Sequence, residues 1–557
     1  PMFNDSSERF GSAGFANTKD LERAGLVNHG CLHHGYTFEK KPRPIGFAEH
    51  TPTLVLGSAG SQKYTSHLAY NVVAKETSIT LDSKGEIAAT AAMLMPWADV
   101  FLFNPFGLWT GYPWFLPSNH RYNVLDILHV DSPTFFDDAL TLAKNLIEKP
   151  KGGSGSSMHF YGKAVQIVTA LLMYIKERNP YGSLADLYNL VGDISGGGQQ
   201  DYFASMHYPA MQDSRFHVIR IAADEMLSKR DMAPAEFASI ISTISNALQV
   251  LGSPALQVAL SGKSTISFKD FINPDKIRKL FIMIPAHMLE SCAPIIRCMI
   301  TAIAIEQQRS PRGVIHFILD ECAQLGRFDL LPFMMSYLRG SKAKVTPVFQ
   351  NAGQIFDLYG SEGADTIIAN AQAKVIMGVS SERTAKLVSG LGGKTTYRYL
   401  PKNKQTEGNF KRMQALQNAM NGGSTTTAML EMMRQDKTMQ TPDSVARDLI
   451  TPDEVLRLPI NTGLLYIHGF GFGMYRFLKL PYFQNKAFAH KFLPNPYREV
   501  HDHIVIPASF GRMKAVKLIT EKVPASISQL PQYVQGEWSY PEGFNPLNQK
   551  RFKLFNR

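Results

Sequence analysis

Apolar residues in this chain come in short blocks, and the spacing between blocks changes along the sequence. Thr53-Leu54-Val55-Leu56 reads as a buried strand followed by a Gly/Ser turn and a helix. Ser78-Ile79-Thr80-Leu81-Asp82 reads as a second strand ending in a carboxylate, and Val100-Phe101-Leu102-Phe103 as a third. Four more strand patterns follow at Leu280–Ile284, Val314–Leu319, Val345–Phe349 and Lys374–Met377, with a late one at Leu464–His468. Short apolar strands separated by helical stretches predict a parallel α/β sheet.

The pattern between these strand groups is different. Lys151–Ser157 is Gly/Ser-rich and reads as a linker. From Phe160 to about Leu251 the apolar period is helical, as in Val165, Val168, Leu171, Leu172 and Ile175. A Gly196-Gly-Gly198 loop breaks the run. The predicted organisation is therefore a strand-rich block at 51–150 and 266–486, interrupted by an all-helical insertion at 155–265. A polar segment at 1–50 precedes it, a Met/Gln/Thr-rich excursion at 400–445 is expected to be mobile, and an aromatic, basic extension at 487–557 follows.

Composition narrows the function classes. A chain of 557 residues is too long for one hydrophobic core, and 44% hydrophobic content excludes wholesale disorder. The net charge of +11 suits a polyanionic partner, nucleic acid or an anionic membrane surface. Four cysteines, Cys31, Cys292, Cys298 and Cys322, form neither a zinc spacing nor a disulfide framework and point to a reducing compartment. Cys292 and Cys298 lie in an apolar helical run, where they read as small buried hydrophobes. Cys31, His33 and His34 form a small cluster that lacks a fourth ligand. Asp99, Pro105 and Arg297 interrupt the most apolar stretches, so no transmembrane helix is expected. The opening Pro1-Met2 reads as an internal start, downstream of a possible membrane segment.

The chemistry concentrates at two places. Gly57-Ser58-Ala59-Gly60-Ser61-Gln62-Lys63-Tyr64-Thr65 follows the first strand directly. A phosphate-binding loop needs inward N–H groups, a helix N-terminus and a lysine for the terminal phosphates. Gly57 and Lys63 have the required spacing. Gln62, however, stands where a glycine is usual, and Tyr64 where a magnesium-binding hydroxyl is usual. The second place is Phe317-Ile318-Leu319-Asp320-Glu321, an apolar strand ending in paired carboxylates. Beside a phosphate loop, Asp320 would support magnesium through water and Glu321 would orient the attacking water. Gln350 ends the following strand and could sense the terminal phosphate or position water. Arg339 precedes that strand and could reach a neighbouring subunit's phosphates.

Several segments in order resemble the TraG/TraD-type coupling proteins of conjugation and type IV secretion. They are Gly11–Ala16 with Glu22–Leu26, Leu81–Glu86, Ser118–Leu125 with Arg121-Tyr122-Asn123, Asp320–Gly326, Gln350–Gly360 and Ile450–Val455. The resemblance runs from about Gly11 to Pro494. It implies a RecA/FtsK-like P-loop NTPase sheet with an inserted all-helical domain, assembled as a homo-hexamer. It further implies ATP and Mg2+ as cofactors, with Lys63 on phosphate, Asp320 and Glu321 serving magnesium and water, and Arg339 as the finger residue. The family couples relaxase–DNA complexes or effector proteins with their adaptors to type IV secretion channel components. It works at the cytoplasmic face of the bacterial inner membrane, held by an N-terminal anchor. Two other readings are a non-hydrolysing recruitment platform, suggested by Gln62 and Tyr64, and a different FtsK/HerA-type DNA translocase.

Overall fold

The computed structural model describes residues 11–28, 32–47, 51–115, 119–150, 155–196, 201–265, 267–399, 402–422, 424–440 and 443–548. The Gly197-Gly198 part of the glycine loop, Cys31, Ser118 and the 151–154 stretch lie outside these residues.

In chain order the strands are β1 (Leu32–Tyr36), β2 (Pro44–Phe47), β3 (Thr53–Gly57), β4 (Thr77–Asp82), β5 (Asp99–Phe103), β6 (Arg278–Met283), β7 (Ile315–Leu319) and β8 (Ala343–Phe349). They continue with β9 (Ala373–Gly378), β10 (Lys394–Tyr399), β11 (Asp443–Asp448), β12 (Thr462–Ile467) and β13 (Tyr475–Leu478), then β14 (His503–Pro507), β15 (Met513–Lys522) and β16 (Glu537–Pro541). Eleven of them form one sheet in the order β2-β1-β13-β12-β9-β3-β8-β7-β4-β6-β5. The block from β9 to β5 is parallel throughout. The other end, β12, β13, β1 and β2, is antiparallel.

The parallel strands are apolar on both faces because both faces are covered. Leu54, Leu56, Leu81, Phe103, Phe317 and Leu319 pack on one side against helices that include Phe135–Leu146 and Leu289–Arg309. Val55, Phe281, Ile318, Val348 and Val375 pack on the other against the helix after β3, the helix Glu86–Ala91 and aromatic residues from beyond residue 480. Alternate residues of each strand thus serve opposite cores, as a period of two requires.

Between β5 and β6 the described residues hold helices and no named strand. The longest is Gly155–Arg178, in which Val165, Val168, Leu171, Leu172 and Ile175 are all buried. Gly155, Ser156 and Ser157 open this helix, so the linker reading does not hold for them. Helix Leu289–Arg309 buries Cys292 and Cys298, both as free thiols. Ala286–Arg309 is long and apolar enough to cross a membrane by length and composition, but 72% of its most apolar window is buried inside the protein. Its Arg297 is satisfied there, donating to the carbonyls of Asn145 and Leu325.

Three regions differ from the sequence reading. Residues 32–47, taken as part of a polar segment, supply the edge strands β1 and β2; Leu32, Tyr36, Ile45 and Phe47 are all buried. Segment 400–445 carries two exposed helices, Lys402–Met420 and Thr425–Gln440, which pack on each other between the paired strands β10 and β11. The tail forms the sheet β14-β15-β16. Gln532 and Tyr533 pin it to the main body by donating to the carbonyls of Met95, Ala98 and Met93.

Candidate nucleotide site

Every parallel strand points its carboxyl end toward the same edge, and β3 lies between β8 and β9, which follow it late in sequence. Such reversals of strand order leave a crevice at the carboxyl edge where ligands bind in α/β sheets. The loop Ser58–Gln62 fills this position and leads straight into the helical residues from Lys63 onward.

The loop is built for close approach. A Cβ on Gly57 would meet Ser61 Oγ at 2.7 Å and Lys63 Cγ at 2.8 Å, so only glycine lets the lysine stem fold over the strand end. Lys63 Nζ donates to the Gly57 carbonyl at 2.9 Å. The Ser58 N–H donates to the Gly378 carbonyl on β9 at 3.0 Å, and the Ser61 N–H to the Ser58 carbonyl at 3.2 Å. Ala59 and Gly60 are exposed at the tip. Gly60 has φ +73° and Gln62 has φ +66°. The left-handed region costs a residue with a Cβ about 1 kcal/mol or more relative to glycine. Gln62 therefore adopts the conformation for which a glycine is usual at this place, at that cost.

Tyr64 is buried and turned into the core. Its hydroxyl is hydrogen-bonded to Thr90 Oγ1 on the helix Glu86–Ala91, and its ring lies 5.9 Å from that of Tyr482. The phenol therefore offers nothing to a cation beside the phosphates. Thr65 is half-buried one residue further along.

The carboxylates converge from the neighbouring strands. The register pairs Leu81 with Leu319, so Asp82 and Asp320 follow side by side at the same edge. Burial pushes the Asp320 carboxyl up to about 6, with Lys63 and Lys84 opposing and Glu321 reinforcing the shift. The influence of Lys63 on Asp320 brings the two sequence-distant motifs into one site. Glu321 sits at φ +51°, and its Oε2 accepts from Gln350 Nε2 at 3.5 Å, the long end of a hydrogen bond. The side chain of Arg339 lies outside the described residues; its backbone belongs to the tight turn Leu338–Ser341.

Asp82 was legible as a strand-terminal carboxylate within the family-like segment Leu81–Glu86, and its place in the site was not. It accepts the Ala88 N–H at 2.8 Å, and burial pushes it up to about 8, with the Glu86 and Asp320 charges adding to the rise. Lys479 was missed altogether. It is buried behind the loop, donating to the carbonyls of Ser61 and Met377. Its only sequence signal is a lysine after an alternating strand, which reads as an ordinary surface residue. His33 and His34 are buried within β1 itself, and among the described residues no group of three His, Cys, Asp or Glu could hold a metal.

The raised carboxyls fix the sign of a pH effect. Asp82 stays protonated in the folded chain from its unfolded value near 4 up to about 8, so the folded state binds more protons across that window. Stability should fall as pH rises from about 4 to 8 in magnesium-free buffer. Asp82→Asn, which keeps an acceptor for Ala88, should flatten the dependence of the melting temperature on pH. An unchanged slope in that variant would remove Asp82 as its source.

The family described as Type IV secretory system Conjugative DNA transfer matches residues 14–501. Protein VirD4 of Rhizobium rhizogenes is 23% identical over 411 residues, covering 70% of this chain and 57% of the relative. Conjugal transfer protein TraG of Escherichia coli is 22% identical over 402 residues, covering 69% of this chain and 58% of the relative. The chain thus spans less than two thirds of the length of these curated relatives. Among solved structures, the bacterial conjugative coupling protein TrwBdeltaN70 matches with a TM-score of 0.56 at 15% identity, over 86% of this chain and 96% of that one. Plasmid coupling protein TrwB in complex with the non-hydrolysable ATP analogue ADPNP matches with a TM-score of 0.57 at 13% identity. The RecA/FtsK-like P-loop fold is therefore shared with TrwB, and the chain belongs to the type IV secretory system conjugative DNA transfer family.

Proposed function

We propose that this chain is the cytoplasmic motor portion of a type IV secretion coupling ATPase, delivering DNA–protein complexes or effector proteins to an inner-membrane channel. The observation that carries this reading is the convergence of the Gly57–Thr65 loop, Asp320, Glu321 and Gln350 at the carboxyl edge of the parallel sheet. The residues fit a nucleotide in most respects. The Gly57 notch admits the Lys63 stem, the loop tip is open, and a cation would offset the burial that raises the Asp82 and Asp320 carboxyls. They lack the hydroxyl that usually completes the magnesium shell, because Tyr64 is turned away.

On this reading Lys63 and the N–H groups of Ala59, Gly60 and Gln62 to Thr65 hold the phosphates of ATP, the Ser58 and Ser61 N–H groups being bonded within the protein. Asp320, with Asp82 beside it, would hold magnesium through water, and the bound cation would supply positive charge against the phosphates. Glu321 orients water, Gln350 holds Glu321, and Arg339 is assigned to a neighbour's site in a homo-hexamer. The helices from 155 to 265 are assigned to an inserted cargo-facing domain between the two halves of the motor, 51–150 and 266–486. The helical pair within 400–445 and the small sheet within 487–557 are assigned as additions to this motor. The +11 charge supports non-specific DNA binding that weakens steeply with salt.

Magnesium-dependent ATP turnover, with and without DNA, tests the reading. Turnover should be present, should rise with DNA, and Lys63→Ala should weaken ATP binding about 10- to 100-fold. That range corresponds to the loss of one charge-assisted hydrogen-bonding group worth roughly 1.5–3 kcal/mol. A chain that binds ATP without turning it over would favour a second reading, a non-hydrolysing recruitment platform. The buried Tyr64–Thr90 contact is the observation on its side.

A further inference from the structure

Lys479 stands directly after β13, and its side chain runs inward beneath the phosphate loop, leaving it 4% exposed. Its Nζ donates to the Ser61 carbonyl at 3.3 Å and to the Met377 carbonyl at 2.5 Å. Both acceptors are backbone groups, and burial pushes the ammonium down to about 8. A buried ammonium is costly unless its hydrogen bonds are made. Here they are made to the end of β9 and to the phosphate loop, across the width of β12.

The Ser61 carbonyl belongs to the peptide unit whose N–H is that of Gln62. A trans peptide is planar and its C=O and N–H point in opposite directions. Drawing the carbonyl inward to Lys479 therefore turns the Gln62 N–H outward, away from the core. It also fixes the plane from which the φ of Gln62 is measured, and that φ is +66°. A glycine would reach this conformation unaided. Glutamine needs outside constraints: the Gln62 carbonyl accepts the Ser66 N–H at 2.9 Å on one side of its Cα, and Lys479 holds the Ser61 carbonyl on the other.

We propose that Lys479 is a positioning residue of the phosphate loop. Through the Ser61 carbonyl it holds Gln62 in the left-handed conformation and presents the Gln62 N–H to the bound triphosphate. This rests on the nucleotide reading of the loop. It goes further in assigning how a loop without its usual glycine keeps the shape that anion binding needs.

The test is a double-mutant cycle read by calorimetric titration with magnesium–ATP, on the full chain, Lys479→Met, Gln62→Gly and the pair together. Lys479→Met should weaken ATP about tenfold, the factor expected for one lost hydrogen bond of ordinary strength. In the Gln62→Gly background the same change should cost less than about threefold, because glycine holds the conformation without help. Equal losses in both backgrounds, or no loss in either, would overturn the role. An unaltered chain that binds no ATP would instead overturn the nucleotide reading on which it rests. Should Lys479→Met not fold, the cycle is run with Lys479→Gln, which keeps an amide donor but is too short to span both carbonyls. The same two patterns decide it.

Discussion

Glu321→Gln is expected to lower magnesium-dependent ATP turnover by about 10²- to 10⁴-fold, the range general-base and water-orienting groups contribute. ATP affinity should stay within a few-fold of the unaltered chain. Glu321 leaves the sheet edge in a left-handed conformation, one residue beyond Asp320, and is met by the Gln350 amide at 3.5 Å. A glutamine is the same size and can keep its place beside Gln350, but it cannot take a proton from water. The loss should therefore fall on kcat and spare KM. A variant that retains more than about a third of its turnover would remove Glu321 from the chemistry and leave the water to be oriented by another group.

Tyr64→Thr is expected to destabilise the protein by about 3 kcal/mol, near the lower end for removing a large buried aromatic side chain. At first sight the change restores the hydroxyl that a phosphate loop usually carries after its lysine, and should raise turnover. The structure argues otherwise. The Tyr64 ring fills space between the loop helix and Tyr482, which in turn stacks on Phe492 at 3.9 Å, and its hydroxyl holds Thr90. Threonine would leave a cavity beneath the loop and free the Thr90 contact. The midpoint of urea unfolding should fall, and any gain in magnesium binding should appear only when stability is supplied elsewhere. A variant as stable as the unaltered chain would show that the tyrosine is a tolerated occupant without a packing role. Gln62→Gly removes no buried ring and makes the cleaner repair.

How far the sequence carries can be judged residue by residue. Seven of the eight strand patterns belong to the parallel block and were readable because a parallel strand covered on both faces is a short, continuous apolar run between turn signals. Gly57, Lys63, Asp320 and Glu321 stood out as candidates because phosphate and magnesium chemistry at strand-to-loop transitions uses fixed spacings, and the structure brings their elements to one edge. Even the strain at Gln62 could be anticipated, since the loop's shape demands a positive φ whatever residue stands there. Strands β1 and β2 were hidden among glycines and histidines. Their burial comes from the helix after β3 and from β13, which lies far away in sequence, and not from their own periodicity.

What only the tertiary structure decided is which distant residues share an edge. The alignment of β4 with β7 sets Asp82 against Asp320, and the antiparallel return of β13 carries Lys479 beneath the phosphate loop. Neither residue announces this locally, because a carboxylate at a strand end and a lysine after a strand are commonplace in solvent. Their altered ionisation and their partners exist only once the sheet has closed over them. The sequence alone determined which candidate groups stand on the loop and on the Asp-Glu strand, since covalent spacing fixes it. Long-range strand pairing determined the rest, because burial and electrostatic coupling depend on neighbours in space.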